Sequence, residues 1–109
     1  MVIYEGTYSQ IQEATRNETL LVGATSTIIS EARQGLQPRK NIVIRNISPN
    51  VADVITLNLG LSLAVADAGI VLKQNESYSD SSETGYDAFQ GVITGICATA
   101  NGKLAIYER

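Results

Sequence analysis

Histidine and tryptophan are both absent from this 109-residue chain. Without histidine there is no Ser-His-Asp or Cys-His catalysis, no imidazole metal ligand and no ordinary near-neutral proton shuttle. Cys97 is the only cysteine, which excludes an internal disulfide and any cysteine-based zinc site. It lies in the apolar segment VITGICA, where a free thiol acts as a small buried hydrophobe. Charge is also sparse, at 17% of residues with a net value of −3. The basic residues are scattered and only Arg39 and Lys40 adjoin, so nucleic acid is not an expected partner. No apolar run approaches the ~20 residues of a membrane-spanning helix. The opening MVIYEGTYSQ lacks the basic start and apolar stretch of a signal peptide, so the expectation is synthesis in a host cytoplasm, with the product kept there or released by lysis. Gly23, Gly35, Gly60 and Gly69 stand alone, which leaves no glycine loop to cradle phosphate. No cofactor, membrane or small-molecule substrate is expected.

What remains is a globular composition, 44% hydrophobic, of a size that suits one domain. Few charges among much Ser, Thr, Asn and Ala suit a domain that hides part of its surface against a partner. The chain reads as strands. VITLNL (54–59) alternates Ile55, Leu57 and Leu59 against Val54, Thr56 and Asn58, a half-buried strand. NIVIRNI (41–47) sets Ile42 and Ile44 opposite Val43 and Arg45. GIVLK (69–73) is a short β-branched run, ESYSD (76–80) suits an edge strand, and VITGICA (92–98) is apolar on both faces like a central strand. KLAIYER (103–109) puts Leu104 and Ile106 on one side. The Asn101-Gly102 pair before it signals a tight hairpin. TLLVG (19–23) and STIISEA (26–32) read as two strands or one bent strand, and LSLAVADAG (61–69) as a connecting loop with a brief strand.

This pattern predicts an all-β domain over 19–109, a small antiparallel sandwich or barrel of jelly-roll type. Residues 1–18 form a lead with too little apolar stripe to bury much alone. They read as an N-terminal arm that needs something to lie on, or as a strand or helix docked on the same core.

The segment SDSSETGYDAFQG (79–91) carries the densest candidate chemistry. Read as a calcium loop from Asp80, it places Ser82, Thr84 and Gly85 correctly, but position 12 is Gly91 and the flanks are strand-like. Asp80, Glu83 and Asp87 as a glycosidic pair lack an apolar pocket to raise one pKa. A solvated turn fits better. Tyr78, Tyr86 and Phe89 cluster here, either as rigid interfacial anchors or as plugs at one end of the core. With Tyr4, Tyr8 and Ile11 of the arm they make up the candidate interface residues. No catalytic or metal-binding residue is assigned.

RKNIVIRNIS, ITLNLG, AVADAGIVLKQNESYSDSSETGY and FQGVITGICATANGKLAIYER together resemble small structural proteins of tailed bacteriophages. The likeness covers residues 39–109 and is most specific in LAIYER, with Phe89 where tryptophan is common. It implies a capsid decoration (cement) protein or a related head or tail fibre domain. Such a protein is non-enzymatic and β-rich, sits on the virion surface, and binds an assembled shell of major capsid protein, often as a homotrimer. The alternative it leaves open is a receptor-binding or fibre-associated module that contacts a host glycan or protein.

Overall fold

The computed structural model describes residues 15–33, 38–82 and 87–109. Eight strands are present there: β1 (Arg16–Val22), β2 (Thr27–Ser30), β3 (Asn41–Asn46), β4 (Ile55–Leu59), β5 (Ile70–Leu72), β6 (Ser77–Ser81), β7 (Ile93–Cys97) and β8 (Gly102–Glu108). They form two four-stranded antiparallel sheets, β1-β8-β3-β6 (sheet A) and β2-β7-β4-β5 (sheet B). The pairings β1·β8, β2·β7, β3·β6 and β4·β5 are those of one long hairpin whose turn lies between β4 and β5. The β3·β8 and β4·β7 ladders join the folded ribbon into sheets. This is the double-sheet jelly roll, and the expected all-β class is the observed one.

The period-two pattern explains why the sheets face each other. In sheet A, Val22, Leu104, Ile106, Ile42 and Ile44 are buried; in sheet B, Ile29, Ile55, Leu57, Leu72, Ile93 and Cys97 meet them in one cluster. Each fully buried aliphatic side chain contributes about 1.5–3 kcal/mol, so this cluster dominates the favourable side of folding. The expected faces of 41–47, 54–59 and 103–109 hold, β6 is an edge strand and β7 is central. β2 needs a bulge between Ile28 and Ser30, which lets the consecutive residues Ile29 and Ser30 both be buried.

The structure settles one sequence alternative and overturns one expectation. TLLVG and STIISEA belong to separate strands in opposite sheets, not to one bent strand. The Asn101-Gly102 pair is not a hairpin turn: β7 lies in sheet B and β8 in sheet A, so the segment crosses between sheets. Neither residue has a positive φ. The glycine is needed for space instead, because a Cβ there would sit 2.4 Å from the Val22 carbonyl oxygen and 2.8 Å from Cys97 Sγ.

The connecting loop expected over 61–69 joins β4 to β5, but in place of the brief strand it holds only an isolated bridge between Val65 and Ala68. It closes at Gly69, where φ is 153° and a Cβ would sit 2.4 Å from the Leu57 carbonyl oxygen. Arg16, Asn17 and Glu18, grouped by sequence with the arm, begin β1 and pair with β8. Residues 1–14 lie outside the described residues.

Candidate functional site

At one pole of the sandwich Arg39 is completely buried, although its neighbour Lys40 is exposed. A guanidinium carries five N–H donors, and all five are used. Nε donates to Glu108 Oε2 at 2.7 Å. Nη1 donates to the carbonyls of Phe89 and Gly91. Nη2 donates to Ser30 Oγ and to the Glu31 carbonyl, both at 2.9 Å. The Gln90 side chain grips the same residue by its backbone, so Phe-Gln-Gly is a socket for Arg39.

Glu108 is the shared acceptor. Ser30 Oγ donates to its Oε2 at 2.6 Å, and Arg16 and Arg33 lie 3.4 and 3.6 Å from Oε1. Burial pushes this carboxyl up, but hydrogen bonds from Ser30 and Arg39 and the positive charges of Arg39 and Arg33 outweigh it. Glu108 is held below the usual carboxylate range. With its acceptors and donors already paired internally, the cluster serves as a polar staple between the sheets.

The opposite pole has a second staple. Asn46 Nδ2 donates to the carbonyls of Asp53 and Leu72, both at 2.8 Å, and its Oδ1 accepts from Ser48 N at 3.0 Å. Asp53 in turn accepts from Thr99 Oγ1 at 2.5 Å and from Asn50 N at 3.1 Å. Asn46 is fully buried. Asn46, Ser48, Gln90 and Glu108 thus hold the sandwich together at its two poles.

The acidic turn of 79–91 comes apart as a site. Asp80 Oδ2 accepts from Phe89 N at 2.9 Å and from Tyr78 Oη at 3.4 Å, so it anchors the chain entering β7. Asp87 is exposed, and Glu83 and Gly85 lie outside the described residues. Among the described residues no group of three His, Cys, Asp or Glu side chains is placed to hold a metal. Tyr78 and Phe89 are half-buried and pack against the domain's own core, which leaves only their exposed margins for a partner. Tyr4, Tyr8, Ile11 and Tyr86 lie outside the described residues.

Among the described residues, the surfaces left for partners are the outer sheet faces and the edge strands. On sheet A the outward positions are Asn17, Thr19 and Leu21 of β1, Lys103, Ala105 and Tyr107 of β8, Val43 and Arg45 of β3, and Ser77 and Ser79 of β6. Their registers place them side by side. Only two are charged, both basic; Leu21 is 73% exposed and Val43 39%. The sequence pattern could have yielded this face by taking every second residue, but the order of strands needed for it is not local information. On sheet B the outer face is partly roofed by the 61–68 segment, pinned by Asn58 Nδ2 to the Ser62 carbonyl and by the Asp67 amide to Thr56 Oγ1. Comparison with protein-family models, curated proteins and solved structures yields no match.

Proposed function

We propose that this chain is a non-enzymatic structural subunit of a tailed-phage particle. In this reading it binds the outer surface of an assembled capsid, stabilises the junctions between capsomers, and works as a homotrimer. The observation that carries the reading is the outer face of sheet A. It is open, with a shallow hollow bordered by Asn17, Thr19, Val43, Arg45, Ala105 and Tyr107, and it is rich in Ser, Thr and Asn and lightly charged. Such a face suits a broad partner surface better than a small molecule, because its hollows are shallow and open rather than enclosed.

Three further points support it. The jelly roll is an architecture used in viral capsids, although lectins and cupins share it, so the fold alone assigns nothing. The polar clusters at both poles are consumed in holding the sheets together. Strands β1 and β6 leave the two edges of sheet A for neighbouring subunits to cover. A protein that binds only the assembled shell stabilises it by mass action.

The test uses phage particles made with and without the protein. Particles lacking it should release DNA at lower temperature and after milder osmotic shock, and adding purified protein should restore them. Unchanged particle stability would sink the clamping role. Light scattering of the purified full chain should give three times its 11.7 kDa mass.

A further inference from the structure

Sheet B carries an apolar strip that the fold itself does not use. Leu61 is 95% exposed, Leu63 74% and Val65 59%; Ile28, 51% exposed, pairs with Thr94, whose Oγ1 donates to the Ser62 carbonyl of the same segment. The segment bearing the first three is held in place. The Ala64 amide donates to Ser26 Oγ at 2.9 Å, and Ala64 is buried between its two exposed neighbours. Leu61, Leu63 and Val65 are therefore presented outward on alternate residues by a loop anchored from below. A run of large apolar groups on a pinned loop marks a binding surface rather than scattered exposure.

The chain supplies an occupant from its own start. Arg16 Nη1 donates to the Ile29 carbonyl at 2.8 Å, which fixes the entry to β1 beside Ile28, the near edge of the strip. The fourteen residues before Thr15 reach about 46 Å at ~3.3 Å per extended residue. The five-residue stretch from Leu61 to Val65 needs about 17 Å at the same rise. The segment contains Val2, Ile3, Tyr4, Tyr8 and Ile11, and an extended reading sets Val2, Tyr4 and Tyr8 on one side, with Ile3 and Ile11 on the other beside Glu5, Thr7 and Ser9. A tether anchored at the edge of its target has an effective concentration in the millimolar range, well above that of a free second copy.

We infer that residues 2–11 of the same chain lie across Leu61, Leu63 and Val65 and cover the outer face of sheet B. This uses the sheet opposite the face assigned to the shell, so either reading can fail without the other.

The first test keeps the full chain and leaves the strip unaltered. Hydrogen exchange of the 61–65 peptide is compared between the wild-type protein and a Tyr4→Ser/Tyr8→Ser variant. Exchange should be at least about tenfold faster in the variant, the factor given by 1.4 kcal/mol of docking, with β3 and β8 amides unchanged. Equal rates in 61–65 would overturn the inference. A Tyr8→Cys/Leu63→Cys pair then identifies whose segment docks, because the native Cys97 is buried. Oxidation should give a disulfide within one chain. A disulfide between chains, or none, would overturn docking on the same chain.

Discussion

The side-chain amide of Gln90 pairs with the backbone of Arg39 in both directions. Its Oε1 accepts from Arg39 N at 2.5 Å and its Nε2 donates to Arg39 O at 2.7 Å. A side chain thus replaces the ladder partner that this stretch of backbone would have in a sheet, and it orients the buried guanidinium. Gln90→Ala should lower stability by about 1–3 kcal/mol, the cost of leaving buried polar groups unpaired. The urea midpoint should fall with the slope unchanged. Gln90→Glu should fail to restore it, because a carboxylate oxygen would then face the Arg39 carbonyl.

The Arg39–Glu108 pair should behave as a unit. Removing one partner leaves a buried charge, so Arg39→Met is expected to cost about 3–5 kcal/mol. Arg39→Met combined with Glu108→Leu should cost less than the sum of the two single changes, since neither charge is then stranded. Strict additivity in urea unfolding would show that the two side chains do not depend on each other.

These residues also show where sequence reading stops. The faces of β3, β4 and β8 were legible because alternation is local: Ile42, Ile44, Leu57, Leu104 and Ile106 announce their own burial. Arg39 announces the opposite, since a lone arginine beside a lysine reads as surface. Its partners Ser30, Phe89, Gln90 and Glu108 lie 9 to 69 residues away, and only the jelly-roll order brings them to one pole. The outer face of sheet A is legible as half-exposed strands, but its extent depends on β1 pairing with β8, at the far end of the described chain.

The Asn101-Gly102 pair separates local from tertiary causes in one experiment. In a tight hairpin both residues take positive φ and Asn101 is costly to replace. Here neither does, and Asn101 is exposed. Asn101→Ala should therefore change stability by no more than about 0.5 kcal/mol. Gly102→Ala drives a methyl against the Val22 carbonyl and Cys97 and should cost about 1–3 kcal/mol or more. Thermal unfolding of the two variants side by side checks this, and a larger loss at Asn101 would restore the hairpin reading.

Glu108 should shape the acid limb of stability. Its folded-state pKa lies below the ordinary value of 4.5, despite burial that works the other way. A carboxyl with a lowered folded pKa contributes fully above its unfolded value and loses that contribution as pH falls through the folded one. Stability should therefore hold from neutral pH down to about 4.5 as far as Glu108 is concerned, then decline. In Glu108→Gln the neutral-pH stability drops and the slope below pH 4.5 becomes shallower. Glu18, held low by its hydrogen bond to Arg16, is exposed and adds little that salt does not screen. Repeating the pH series at 1 M salt should thus leave the Glu108-dependent slope in place. A slope abolished by salt, or retained unchanged in Glu108→Gln, would assign the acid sensitivity to surface carboxylates instead.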